Sequence, residues 1–294
     1  MRYTLRQLEV FLATANSENI SRAADQLAMS QSAASGALRE LENQFQVQLF
    51  DRVGKRLHLN ERGRSLRPSA QALIEQAATI ESELAGQATS GHLRIGATLT
   101  VGNYLAVGMI AQFREQYPQA SVALEVANTE HIAAAVANFQ LDVGLIEGEL
   151  HHPELDIIHW RDDELIAFAA PDHPLAQRKS LQDDDLKKAR WIVREPGSGT
   201  RQTFDRAMHG LLSELEIDLE LQHTEAIKRA VEAGLGIGCL SRICLKEAFA
   251  RGSLVPLDIH WRDFSRSFSI ILHRHKYRGP ALLNWLQLCH TMPV

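Results

Sequence analysis

The chain has 294 residues, 45% of them hydrophobic and 23% charged, with a formal net charge of -5. That length holds two or three domains, the balance is that of an ordinary globular protein, and the negative total excludes a polycation while leaving room for a local basic face. Three cysteines, Cys239, Cys244 and Cys289, are too few and odd in number for a disulfide framework. They read as core residues of a protein kept in a reducing compartment. The N-terminus, MRYTLRQLEVFLATA, lacks the uninterrupted apolar stretch of a signal peptide, and no run reaches the roughly 18 apolar residues of a membrane helix. The expectation is a cytoplasmic chain without membrane contact.

Residues 5 to 15 place Leu5, Leu8, Leu12 and Ala15 at helical spacing. In ENISRAADQLAMSQSAASGALRELENQF, Ser21 is placed to cap a helix bearing Ala23, Ala24 and Leu27, and Ser30 a second bearing Ala34, Leu38 and Leu41. Two short helices, a tight break and small residues at the crossing predict a helix-turn-helix. LFDRVGKRLHLNERG then reads as strand, turn and strand. Between Leu49 and Arg67 six basic residues, Arg52, Lys55, Arg56, Arg62, Arg64 and Arg67, face two acidic ones, Asp51 and Glu61. A basic hairpin beside a helix-turn-helix is a wing suited to phosphate contact.

A long helix is predicted from about Glu61 to Ala88. Its apolar positions, Leu66, Ala70, Leu73, Ala77, Ile80 and Leu84, step by four and three in alternation, which is a heptad seam for a coiled coil. Pairing of two such helices would set two DNA-reading heads at a fixed separation.

The stretch TLRQLEVFLATANSENISRAADQLAMSQSAASGALRELENQFQVQLFDRVGKRLHLNERG resembles the LysR-type transcriptional regulators, and the organisation of the remainder fits the same family. The resemblance implies an α+β multidomain protein, not an enzyme. A winged helix-turn-helix DNA-binding domain would occupy residues 1-60 and a linker or dimerisation helix residues 61-90. A C-terminal α/β effector-binding domain, similar to the periplasmic binding proteins, would occupy residues 91-294. It would have two subdomains, I (91-163 and 265-294) and II (164-264). The resemblance implies DNA contact by Ser21, Gln31, Ser32 and Ser35 on the reading helices and by Arg52, Lys55 and Arg56 on the wing. It further implies double-stranded promoter DNA, a small-molecule effector and RNA polymerase as partners, and a homodimer built on the 61-90 helix that pairs into a homotetramer. Gly36 departs from the family, in which many members carry a long polar residue there, so base readout falls to Gln31 and Ser32.

After Thr89-Ser90-Gly91 the chain alternates. HLRIGA, SVALEVA, LDVGLIE, ELIAFAA, RWIVRE, GIGCLS and SFSIILH read as strands, with helical runs between them, a pattern of largely parallel sheets. Ligands of such sheets sit at the carboxyl ends of the strands, beside helix N-termini. Four loops there supply the candidate effector residues: Thr98, Leu99 and Thr100 after the first strand; Asn128 and Thr129 after the second, with Asn128 capping a helix; Glu147 after the third; and Glu195, Ser198, Gly199 and Thr200 in EPGSGT. The last turn lacks the spacing and the lysine of a P-loop. It is a donor-rich helix start suited to a small anion. The T-x-T of Thr98 and Thr100 resembles the branch of the family that recognises sulfate-like anions, and the whole chain is similar to a sulfite-responsive branch. An oxyanion such as sulfite and a small carboxylate both remain open as effector. Glu195 can point away, pair with Arg194 or Arg201, or meet a cationic ligand group.

No cofactor, catalytic residue or metal site is expected. His151-His152 and His273 with His275 lack the third ligand that a metal needs, and G-S-G at Ser198 is not the nucleophile elbow. Asp183 to Asp185 reads as a helix start that favours the helix dipole. A small-molecule binding protein without DNA-binding activity is the rival reading, since the second half alone would fit it.

Overall fold

The computed structural model describes residues 2–54, 56–85, 92–178 and 180–291. Three helices, α1 (Leu5–Ser17), α2 (Ile20–Gln26) and α3 (Gln31–Phe45), open the chain. Ser30 caps α3, accepting from the Ala33 amide at 3.2 Å. The cap of α2 is Asn19, whose Oδ1 takes the amides of both Ser21 and Arg22. Ser21 is therefore inside the helix and exposed, because Asn19 is the last residue with extended backbone. Ala24 and Ala34, 1% and 0% exposed, lie in the core shared by these helices with Val10, Phe11, Leu38 and Leu41.

Strands β1 (Phe50–Val53) and β2 (Arg56–Leu59) form an antiparallel hairpin. Its turn runs through Gly54 at φ 61, a left-handed position that favours glycine. The hairpin is tied back to the loop after α1, since the Leu57 amide donates to the Glu18 carbonyl at 2.9 Å and His58 Nδ1 lies 2.9 Å from the Glu18 carboxylate. Helix α4 (Glu61–Leu84), capped by Asn60, follows. The seam along α4 is split. Leu66, Ala70 and Leu73 fill the core of the N-terminal head, whereas Ile80 and Leu84 are 56% and 85% exposed.

The second half is built on one continuous sheet of nine strands, eight in the order β4-β3-β5-β11-β6-β9-β7-β8 and the short β10 (Val255–Pro256) pairing with β6. Strands β3 (His92–Thr98), β4 (Ser121–Ala127) and β5 (Val143–Glu147) are parallel, as are β7 (Arg190–Arg194), β8 (Glu216–Leu221) and β9 (Ile237–Ser241). Two long strands join these lobes. β6 (Leu155–Ala169) pairs with β11 (Ser265–His273) up to Glu164 and then with β9 from Leu165 onward. Helices cover each lobe: α5 (Leu99–Val101), which runs through a π turn at Gly102–Ala106 into α6 (Val107–Gln116), α7 (Thr129–Ala137) and α12 (Pro280–Thr291) on the first; α8 (Asp183–Lys187), α9 (Gly199–Ala207), α10 (Thr224–Glu232) and α11 (Arg242–Arg251) on the second. Each lobe has its own apolar core, centred on Phe113, Phe268 and Trp285 in the first and on Trp191, Phe204 and Ile237 in the second.

β8, the first nine residues of β6, and α12 go beyond the elements predicted from sequence. β8 reads EIDLEL with alternating exposed and half-buried residues, an acidic edge strand with little apolar signal. The three cysteines are buried, and burial pushes the thiols of Cys244 and Cys289 up to about 12, as befits core residues.

Candidate DNA interface and effector cleft

On the N-terminal head, Gln31 and Ser32 are exposed in the first turn of α3 and Ser35 is half-buried one turn on. Ser32 Oγ lies 3.0 Å from Ser30 Oγ. A Cβ built on Gly36 would meet nothing within 4 Å, so no packing contact demands glycine there. Arg52 and Arg56 are exposed on the hairpin, and Arg56 is 3.8 Å from Glu18. Lys55 lies outside the described residues.

The loops at the carboxyl ends of β4, β5 and β7 meet in the cleft between the lobes, and the cleft is closed by direct bonds. Thr129 Oγ1 donates to the Glu147 carbonyl (3.0 Å) and accepts from the Gly199 amide (3.2 Å). The Glu130 amide donates to the Gly197 carbonyl at 3.2 Å. Thr200 Oγ1 donates to Glu147 Oε1 at 3.0 Å and accepts from Arg266 Nη1 at 2.9 Å. Such an approach is possible only because residue 199 is glycine, for a Cβ there would lie 1.9 Å from the Glu147 carbonyl oxygen. Asn128 caps α7 through its Oδ1 and donates from Nδ2 to Glu195 at 3.4 Å.

Glu195 pairs with Arg194, whose Nε and Nη2 reach its carboxylate at 2.7 and 2.9 Å. Arg201 is engaged elsewhere, with Asp205, Glu220 and the Arg194 carbonyl. The arginine that matters most, Arg266 at the start of β11, is absent from the sequence-based set. Its side chain is 1% exposed and binds Asp163 through Nε at 2.6 Å, while Ser241 donates to the same carboxylate at 2.7 Å. Burial works against its charge, but Glu147 and Asp163 outweigh burial and hold its pKa above the ordinary value.

Eleven buried side-chain polar atoms among the described residues make no hydrogen bond, and six belong to these loops and strands: Thr98 Oγ1, Arg194 Nη1, Ser198 Oγ, Thr224 Oγ1, and Glu147 Oε2 with Arg266 Nη2, which face each other as an ion pair at 3.4 Å. An unmade bond of this kind costs about 1–3 kcal/mol. Thr98 and Ser198 stand at the N-caps of α5 and α9 without capping through their hydroxyls, and Thr224 opens α10. Leu99 and Thr100 are buried beside Thr98. Further along the cleft, Tyr104 donates to Glu225 at 2.7 Å and accepts from Lys228 at 3.2 Å, a second bridge between the lobes.

Residues 5–64 match the bacterial regulatory helix-turn-helix protein, lysR family, and residues 86–293 match the LysR substrate binding domain. The chain belongs to the LysR family of transcriptional regulators. It is a DNA-binding regulator with an effector-binding domain of periplasmic-binding-protein type, not an enzyme, and the reading as a binding protein without DNA-binding activity is not favoured, given the match over residues 5–64. It is 44% identical over 294 residues to the uncharacterized HTH-type transcriptional regulator YeiE of Escherichia coli K12, covering 100% of this chain and 99% of that one. In fold it is similar to full-length OxyR of Pseudomonas aeruginosa, solved as a cysteine-to-aspartate variant, with a TM-score of 0.74 at 21% identity over 99% of this chain and 96% of that one. The regulatory domain of Synechocystis CcmR in complex with 2-PG gives a TM-score of 0.64 at 29% identity, over 70% of this chain and all of that one. No helix among the described residues is long and apolar enough to cross a membrane.

Proposed function

We propose that this regulator senses a small oxyanion carrying a proton, hydrogen sulfite being the leading member, in the cleft between its lobes. The carrying observation is the set of buried donors that make no hydrogen bond, the hydroxyls of Thr98, Ser198 and Thr224 and Arg194 Nη1, beside Glu147 Oε2, which is ion-paired with Arg266 Nη2 at 3.4 Å. The fixed charges neutralise one another, Arg194 against Glu195 and Arg266 against Asp163 and Glu147, and leave a negative excess. A bare dianion is disfavoured beside Glu147. A monoanion with its own hydrogen-bond donor satisfies both the hydroxyls and the carboxylate. The direct bonds that close the cleft favour a small ligand. A small carboxylate is the second reading, favoured by the likeness to a regulatory domain that holds 2-PG.

Residues 1-60 form the DNA-binding head, which meets duplex promoter DNA through Ser21, Gln31, Ser32, Ser35, Arg52, Lys55 and Arg56. The helix at 61-90 pairs two copies, supported by the exposure of Ile80 and Leu84, and dimers pair into tetramers in the cytoplasm. The effector half divides into 91-163 with 265-294 and 164-264.

The experiment is calorimetric titration of the full chain with sodium sulfite, sulfate, phosphate and acetate. Sulfite or phosphate is expected to bind more tightly than sulfate, and S198A and T98A each to weaken that binding by about tenfold, the worth of a hydrogen bond to a charged group. Should none of the four anions bind, the cleft reading fails.

A further inference from the structure

We propose that Glu75, Lys276, Asp142 and Arg94 form a clamp in cis, which holds the linker helix against its own effector-binding half and passes the state of the cleft to the DNA-binding head. Lys276 and Asp142 are 8% and 6% exposed. Lys276 Nζ bonds Glu75 of α4 and, at 2.7 Å, Asp142. Arg94 then grips Asp142 with its side chain at 2.7 Å and its backbone amide at 2.7 Å. Burial would raise the Asp142 pKa, but Arg94 and Lys276 outweigh it and keep the group ionised. The chain of charges is neutral only while Glu75 is in place. If α4 leaves, a buried lysine and an arginine share one carboxylate, so the linker helix supplies the charge that its docking site needs.

Two turns earlier on α4 a second contact fixes the head. Arg67 bonds the side chain and carbonyl of Asn138 at the end of α7, and reaches Asn16 of α1 at 2.6 Å. Its guanidinium stands 5.9 Å from the Phe139 ring. One side chain therefore joins the DNA-binding head, the linker helix and the first lobe.

The route to the cleft is short and stiff. Arg94 lies on β3, which ends at Thr98, and Asp142 immediately precedes β5, which ends at Glu147. At about 3.3 Å per residue, clamp and cleft sit roughly 13–16 Å apart on the same two strands. These strands pair with each other in register. A ligand that completes Thr98 and Glu147 at one end biases the strands that present Arg94 and Asp142 at the other, which is the physical requirement for coupling two sites. This inference rests on the cleft being the effector site.

The test is hydrogen–deuterium exchange on the full-length wild type and Glu75→Gln, with and without sodium sulfite. The isosteric change on a partly exposed helix face leaves the fold intact. Without ligand, exchange over residues 71–84 is expected to rise at least tenfold in the variant while residues 61–66 stay as in the wild type. With sulfite, the wild type should change exchange both in 92–98 and 142–147 and in 71–84, whereas the variant should respond only in the cleft strands. Equal exchange over 71–84 in the two ligand-free proteins overturns the clamp, and a linker response to sulfite that survives E75Q overturns its role in coupling. Sulfite that leaves the cleft strands of both proteins unchanged overturns the sulfite reading and the coupling with it. The ligand-free comparison still decides whether the clamp holds.

Discussion

Replacing Gly199 with alanine tests whether the cleft works by closing. The new Cβ would sit 1.9 Å from the Glu147 carbonyl oxygen, 2.5 Å from its carbon and 3.0 Å from Thr129 Oγ1. All three atoms belong to the first lobe and Gly199 to the second, so the clash exists only while the lobes are shut. Overpacking at such a contact costs about 1–3 kcal/mol. A lobe free to swing open escapes that cost, so it falls on the closed, ligand-holding state alone. At 1.4 kcal/mol per tenfold, affinity for the anion that the wild type binds best should drop by roughly 5- to 150-fold, with little change in the denaturant midpoint of the unliganded protein. Calorimetry and urea unfolding on the same preparations decide it. Unaltered affinity together with a lowered midpoint would refute the closure argument and leave Gly199 as a packing residue within one rigid body.

Three further outcomes follow from other parts of the molecule. Converting Arg52, Lys55 and Arg56 to alanine should weaken duplex binding at every sequence and reduce the slope of log affinity against log salt by up to about 3, close to one per lost phosphate contact; an unchanged slope removes the wing from the interface. Lysine at both Ile80 and Leu84, the exposed end of the α4 seam, should raise the dimer dissociation constant at least 100-fold by sedimentation, about 2.7 kcal/mol, without lowering thermal stability of the head, while lysine at Leu73 should unfold the head because that side chain belongs to its core. His273, buried against Phe139 at a ring distance of 4.0 Å, has its pKa lowered to about 4, first by burial. Its Nδ1 accepts the His275 amide, so protonation removes an acceptor. The stability that the neutral ring contributes is complete above its unfolded pKa of about 6.5 and is lost as pH falls toward 4. The urea midpoints of wild type and H273F, measured from pH 7 to pH 4, should therefore converge as pH falls, and a constant difference would show that His273 does not titrate in that window.

Local chemistry carried much of this structure into view. The cap at Ser30, the alanines at the α2–α3 crossing and the basic turn at Gly54 are short-range signals, and each element formed where its residues placed it. The cap at Ser21 failed for an equally local reason, since Asn19 two residues earlier offers an oxygen that takes two amides at once. The seam of α4 was visible as a period, but a period does not name the surface that it faces. Its first three residues face the chain's own head, and its last two, Ile80 and Leu84, face outward.

The cleft divides along the same line. Thr98, Asn128, Thr129, Ser198 and Thr200 follow strands and open helices, so their place at the carboxyl edge was readable from alternation alone. Thr224 obeys the same rule and went unread only because the acidic edge strand β8 before it did. Arg266 obeys no such rule. It sits at the start of an antiparallel strand, and its partners Asp163, Glu147 and Thr200 lie 103, 119 and 66 residues away in sequence; only the crossing of β6 with β11 brings them together. The pairing of Glu195 with Arg194 settles the direction of the acid in the EPGSGT turn. That carboxylate is spent on a neighbour, whereas Glu147 faces the other lobe, taking Thr200 on Oε1 and pairing Oε2 with Arg266 Nη2 at 3.4 Å. On the proposed reading, specificity in this cleft would depend less on adding positive charge than on whether an anion brings a proton to the Glu147 carboxylate.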